Sequence, residues 1–226
     1  MTAPRAAAGD ALLVDLDGTL TDNFEGISRS ILHALACLGA PAPPAAALRS
    51  CVGPPLRASF ARLLATDDRE RIELAIGHYR SRYAETGWRE NVLYAGVADL
   101  VRDLAATAAK LVLCTSKPLP YAQRIVAHFG LAPHFAAVHG ADLDGALDDK
   151  AALVARLLER ETLDARRCTM IGDREHDVRA AHANGIRAVG VLWGYGSRDE
   201  LVRAGADALV AAPAELPGTL AALAQR

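Results

Sequence analysis

The chain has no excess of basic charge: 25 Lys and Arg stand against 27 Asp and Glu, for a net charge of −2 over 226 residues. Nucleic-acid surfaces draw on clustered Lys and Arg, so the balance argues against a nucleic acid polymer and for a small soluble partner. Cysteine is scarce. Cys37, Cys51, Cys114 and Cys168 are the only four, and no two have the CxxC spacing of a zinc framework. Cys114 and Cys168 fall in apolar runs, where packed, reduced thiols of a cytoplasmic protein are expected. No apolar run approaches the ~20 residues that a membrane span needs. The opening stretch MTAPRAAAGDALLVDLDG is apolar over too short a length for a secretory leader, and acids interrupt it. A cytoplasmic protein without a membrane partner is the expectation. No internal repeat or low-complexity linker is evident.

What is present suits a sizeable core. Apolar residues make up 51% and charged residues 23%, ordinary values for a globular chain. The length fits one large domain, or a core with a smaller insert. Short apolar runs, ALLV (11–14), KLVLC (110–114), RCTMI (167–171), RAVGVL (187–192) and ADALV (206–210), read as strands buried on both faces. Helical patterns lie between them at 118–129, 150–161 and 175–184. In the second, Leu153, Leu157 and Leu158 form an apolar stripe, and Asn184-Gly185 stops the third. Alternating strands and helices predict an α/β fold with a doubly wound parallel sheet.

That alternation fails between the first two strands. Phe24, Ile27, Ile31, Leu35 and Leu38 mark one helical face, Leu56, Phe60, Leu63 and Leu64 another, and Ile72, Ile76, Tyr79 and Tyr83 a third. The expected organisation is a core of residues 1–22 and 94–226 with a helical cap inserted at 23–93.

The first strand runs straight into DLDGTLTD (15–22). Acids are poor strand formers and costly to bury unpaired, so carboxylates at a buried strand end call for a chemical reason. In open α/β sheets, ligands bind outside the carboxyl ends of the strands. Those ends supply Asp15 and Asp17, then Thr115, Ser116 and Lys117, then Asp173 and Asp177 of GDREHD, while Lys150 opens a helix. Two like charges ~4 Å apart repel by about 4 kcal/mol at an effective dielectric near 20, so such a cluster needs a cation. Mg²⁺ suits it, as a hard ion that takes a few carboxylates, waters and substrate phosphate. One carboxylate attacks phosphorus while a second serves as acid and then as base. Asp15 and Asp17 are spaced to share those tasks. Gly18 allows the tight turn that follows, and Thr19 adds a hydroxyl and an amide. Plainer readings compete: Asp173 suits a helix N-cap, His176 suits the surface, and Lys117 rivals Lys150, which chain position favours. WGYGS (193–197) follows a strand end, and its glycines suggest a close backbone approach.

These motifs together resemble the haloacid-dehalogenase-like phosphatase superfamily across essentially the whole chain. DLDGTLTD matches its first motif, Thr115 in LVLCTSKP the second, Lys150 in LDDKAALV the third and GDREHD the fourth. The resemblance implies Asp15 as nucleophile and Asp17 as general acid/base. It implies Mg²⁺ held by the side chains of Asp15 and Asp173, by the backbone carbonyl of Asp17, and with support from Asp177. Thr115 and Lys150 are to hold the phosphoryl group, with Gly18, Thr19, Ser116, Lys117 and Arg57 of the cap toward the substrate. Val14 departs from the aromatic residue that many members carry there, a difference of packing. The chain is similar to the phosphoglycolate phosphatase-like branch, which includes 5′-nucleotidase-like members. Phosphoglycolate phosphatase-like hydrolysis of a small phosphate ester is the expectation. A 5′-nucleotidase is the alternative, and a sugar-phosphate mutase or a non-catalytic binding protein lies behind. A dehalogenase fits poorly because Asp17 is retained, and a receiver domain because it lacks the insert. A monomer or homodimer is expected.

Overall fold

The computed structural model describes residues 11–108, 110–142 and 149–225. Residues 1–10 of the stretch read for a leader, and Leu147 and Asp148 of the LDDKAALV motif, lie outside them. The chain divides into two compact units, Met1–Thr21 with Leu93–Arg226, and Asp22–Val92. Among the described residues, no helix is long and apolar enough to cross a membrane.

The larger unit is built on β1 (Ala11–Val14). All four of its residues are buried, as expected of a strand covered on both faces. After β2 (Thr21–Asp22), the helical segment that follows it in the chain, β3 (Val92–Leu93) and α5 (Val97–Thr107), the alternation resumes. It runs through β4 (Lys110–Pro118), α6 (Leu119–His128), β5 (Ala137–Ala141), α7 (Lys150–Glu161), β6 (Cys168–Gly172) and α8 (Glu175–Ala183). It closes with β7 (Arg187–Val191), α9 (Arg198–Ala204), β8 (Ala208–Val210) and α10 (Leu216–Leu223). Among the described residues six strands form one sheet in the order β5-β4-β1-β6-β7-β8, and every neighbouring pair is parallel. Crossovers lead from β1 to one edge through β4 and β5, and then to the other through β6, β7 and β8. With right-handed connections the two series put their helices on opposite faces. One such face is a single apolar cluster: Leu13, Val112, Cys114 and Met170 of the sheet pack with Leu153 and Leu157 of α7, Val178 of α8 and Leu201 of α9.

Register places the site. Val14 pairs with Leu113 on one side and Ile171 on the other, and the Asp15 amide extends the ladder by donating to the Ile171 carbonyl at 2.9 Å. Asp15 therefore leaves the sheet level with the end of β6 and beside β4, which runs on to Pro118, at the point where the connection order reverses and ligand crevices form.

Strand β5 was not legible in the sequence. Its residues AVHGA pair only with β4 at the sheet edge and are half-buried at three of five positions, so they lack the dense apolar run of the central strands. Cys51, Cys114 and Cys168 are buried and unbridged and Cys37 is exposed. Burial pushes the Cys114 thiol up to about 12, which leaves it an inert packing group.

The smaller unit is helical: α1 (Phe24–Cys37), α2 (Ala45–Arg49), α3 (Leu56–Leu64) and α4 (Arg69–Glu85). Ile27, Ile31 and Leu35 of α1 and Ile72, Ile76, Tyr79 and Tyr83 of α4 are buried. Of the face expected on α3, Phe60 alone is fully buried, with its ring edge-on to Tyr79 at 6.2 Å. Asp68 caps α4 by accepting from the amides of Glu70 and Arg71. Arg82 holds Glu90 through two bonds of 2.8 and 2.9 Å, a bidentate pair that ties the end of α4 to the segment leading out of the unit.

Leu13 is completely buried at the centre of the sheet. Leu13→Ala is expected to cost about 2–5 kcal/mol in urea unfolding, whereas Leu74→Ala, at a position 54% exposed, should change stability by no more than about 0.5 kcal/mol.

Candidate active site

Three loops converge at the carboxyl ends of the central strands. The first follows β1. Leu16 and Leu20 bury their side chains, and the Leu16 carbonyl accepts from the amides of Thr19, Leu20 and Thr21 at 3.3, 2.9 and 3.0 Å. The loop thus coils tightly and leaves Asp15 and Asp17 at its mouth. Gly18 has φ +85°, and a Cβ there would collide with the Asp173 carboxylate. Both conformation and space demand glycine.

Asp15, Asp173 and Asp177 are buried and offer carboxylate oxygens that all lie within 4.8 Å of one another. Lys150, the first residue of α7, answers two of them. Its ammonium donates to Asp15 Oδ1 at 2.8 Å and pairs with Asp177 Oδ1. Burial raises the Asp15 carboxyl to about 6 against the pull of Lys150, with Asp177 and Asp17 adding repulsion. Burial also drives Asp173 well above the usual carboxylate range, and the charges of Asp177 and Asp15 push it further. For Lys150, burial opposes the charged form, but the carboxylates of Asp15 and Asp177 outweigh it and hold the ammonium above its ordinary value.

One lysine does not satisfy three carboxylates. Asp173 Oδ1 is buried and has no hydrogen-bond partner among the described residues, while its Oδ2 accepts from the Tyr195 amide at 2.7 Å. An unpartnered buried carboxylate oxygen beside two other carboxylates fits a divalent cation, and the all-oxygen donor set suits a hard one.

Asp17 stands apart from the three. Its Oδ2 pairs with Lys117 Nζ at 2.5 Å, both side chains being largely buried. Lys117, expected at the substrate, therefore meets the second aspartate of the first motif. Its amide donates to Thr115 Oγ1 at 3.2 Å, so the buried Thr115 and Lys117 are joined within the last, irregular stretch of β4, with Ser116 half-buried between them. Thr19 is buried with its hydroxyl unpartnered. Arg57 lies on α3 of the helical unit and pairs with Glu73 at 2.5 Å.

The fourth motif divides its tasks differently from a plain helix cap. Arg174, not Asp173, is the N-cap residue of α8, and Asp177 at the third helical position accepts from the Arg174 amide at 3.0 Å. Asp173 is thereby left to the cluster. Arg174 does not turn to the cluster acids with its Nε but donates to Glu200 at 2.8 Å, and Glu200 also accepts from the Glu175 amide at 2.9 Å. Glu200, on α9, carries no local signal that marks it as the anchor of this loop. His176 is exposed. The WGYGS loop does reach the site: Trp193 Nε1 donates to the Thr19 carbonyl at 2.9 Å, and Cβ atoms at 194 and 196 would collide with Gly18 O and Asp173 O.

Residues 12–191 match the family model of the haloacid dehalogenase-like hydrolases, and the chain belongs to that family. It is a phosphatase of the family by its relatives. It is 44% identical over 190 residues to a 5′-nucleotidase of Pseudomonas aeruginosa, covering 84% of this chain and 86% of that one. It is 30% identical to the phosphoglycolate phosphatase of Yersinia pseudotuberculosis, over 89% of each. The tyrosine-protein kinase PtkA of Mycobacterium tuberculosis is 42% identical over 83% of this chain, which spans 64% of that protein. Among solved structures, that of a predicted phosphatase from Clostridium acetobutylicum superposes with a TM-score of 0.89 at 36% identity, over 95% of this chain and 99% of the other.

A carboxyl raised from 3.8 to about 6 binds its proton more tightly in the folded chain. The stability it contributes is fully present below pH 3.8 and lost as pH rises through 6. The metal-free Asp15→Asn variant should therefore gain in melting temperature over the metal-free parent as pH is raised from 4 to 7. Calorimetry in chelator at several pH values measures the difference.

Proposed function

We propose that the chain is a Mg²⁺-dependent phosphomonoesterase that acts through an aspartyl-phosphate on Asp15. The observation that carries this reading is the division of labour at the strand ends. Asp15 lies with Asp173 and Asp177 against Lys150, while Asp17 is held separately by Lys117. This separation supports Asp15 as the attacking carboxylate and Asp17, two residues on, as the proton-transfer group.

Mg²⁺ would be held by Asp15, Asp173 and Asp177, with the Asp17 carbonyl. When bound it supplies positive charge that neutralises the phosphoryl oxygens. Asp15 attacks phosphorus through a carboxylate oxygen. The bond from phosphorus to the ester oxygen breaks, and Asp17 gives its proton to the departing alkoxide. Water then attacks the phosphorus of the aspartyl-phosphate. Asp17 takes a proton from that water, the bond to the Asp15 oxygen breaks, and Asp15 returns as a carboxylate with release of inorganic phosphate. Thr115 and Lys150 hold the phosphoryl group in flight. Lys117 keeps Asp17 oriented, a role that its ion pair favours over direct substrate contact.

The helical unit, residues 22–92, acts as the cap that supplies selectivity, with Arg57 as a candidate contact to the substrate. Nucleoside 5′-monophosphates are the favoured substrates, supported by the 44% identity to a 5′-nucleotidase. Phosphoglycolate is the second candidate, supported by the more distant phosphatase relative. The protein works in the cytoplasm on a soluble ester, as a monomer or homodimer.

Phosphate release from a panel of 5′-nucleotides, 2-phosphoglycolate and sugar phosphates, with Mg²⁺ and with chelator, tests both levels. The expected result is Mg²⁺-dependent release that favours 5′-nucleotides and falls by at least about 10⁴-fold in Asp15→Asn. Normal release by Asp15→Asn would sink the covalent mechanism. Selective release from phosphoglycolate would overturn the substrate reading alone.

A further inference from the structure

The loop Trp193–Gly196 takes no part in the chemistry above, yet it is locked into both loops that carry the carboxylates. Three contacts do this. The Trp193 indole N–H donates to the carbonyl of Thr19 at 2.9 Å, beyond the turn that begins at Asp15. The Tyr195 amide donates to Asp173 Oδ2 at 2.7 Å. Gly194 lies so close that a Cβ there would overlap both the Gly18 carbonyl and the Asp173 carboxylate. The consequence falls on the two oxygens of one side chain. Oδ2 of Asp173 is committed to the amide, and Oδ1, buried and without a partner among the described residues, is left for a ligand.

We propose that Trp193 is a positioning residue for the divalent cation. It pins the loop so that the Tyr195 amide selects which oxygen of Asp173 faces the ion, and it holds the Asp15–Thr19 loop in register with Asp173. The inference rests on the reading of the carboxylate cluster as a cation site. A buried carboxylate free to rotate would share its two oxygens between the amide and the ion, and would pay in entropy each time an ion bound. A carboxylate fixed by an amide on one side presents one oxygen in advance. Groups that orient metal ligands in this way alter metal affinity by about 10–100-fold when removed. The indole is the group with reach: its ring nitrogen donates to a backbone carbonyl 174 residues away in the chain, and a phenyl ring in the same place has no donor.

The test is Mg²⁺ binding by isothermal titration calorimetry to the whole chain, comparing the parent with Trp193→Phe. The metal-free melting temperature is recorded for each. Trp193→Phe keeps the ring and removes the donor. The expected result is a Kd for Mg²⁺ raised about 10-fold or more, out of proportion to any change in the metal-free melting temperature. A Kd within threefold of the parent overturns the proposal, because a merely structural tryptophan would lower the melting temperature and leave the affinity alone. If Trp193→Phe fails to fold, Gly194→Ala is measured against the same threshold, since its methyl group must displace Asp173 or the Gly18 carbonyl. Absence of Mg²⁺ binding by the parent would instead remove the cation reading itself, and this proposal with it.

Discussion

The arrangement turns on the cost of burying three carboxylates together. Asp15, Asp173 and Asp177 crowd into one small volume with a single lysine among them. Without a cation this is a costly arrangement: the carboxyls of Asp15 and Asp173 are pushed toward their protonated forms, chiefly by burial. Much of the surrounding structure reads as the means of holding that cluster in place. The sheet register brings β1 and β6 together, the N-terminus of α7 delivers Lys150, and the capping geometry of α8 turns Asp177 inward. An arrangement so unfavourable by itself is characteristic of sites where a ligand completes the electrostatics.

The two aspartates of the first motif are set apart by their partners. Asp15 meets Lys150 and the cluster, whereas Asp17, two residues on, meets Lys117. Chemically similar side chains acquire different surroundings because the chain coils sharply between them, and that coil depends on a glycine at position 18. The same economy of space recurs at Gly194, where backbone takes the place of a side chain so that three loops can interlock. The two carboxylates are thereby near each other in the chain but not equivalent in their surroundings.

The family likeness and the geometry support each other at different levels. The family match spans residues 12–191, from the first strand to the end of β7. It bears on the class of reaction. Which lysine meets which aspartate, and which oxygen of Asp173 is engaged, come from the geometry.

Much of this was legible in one dimension. Runs such as ALLV and KLVLC mark strands buried on both sides because burial on both faces demands continuous apolar character. Periodic Leu and Ile mark the helices of the inserted unit, and DLDGTLTD followed by a threonine, a lysine and GDREHD marks the polar side chains that gather at the strand ends. Strand β5 was missed because an edge strand needs little apolar density, and Glu200 because nothing local distinguishes an acid that anchors another loop. Local composition and spacing were enough for the α/β architecture, for the carboxylates gathered at the strand ends and for a helical insert. Tertiary structure alone decided that Lys117 meets Asp17, that Lys150 bridges Asp15 and Asp177, and that Tyr195 engages one oxygen of Asp173. Those pairings join residues distant in the chain, and the distances between them are set by sheet register and loop packing, which no local pattern encodes.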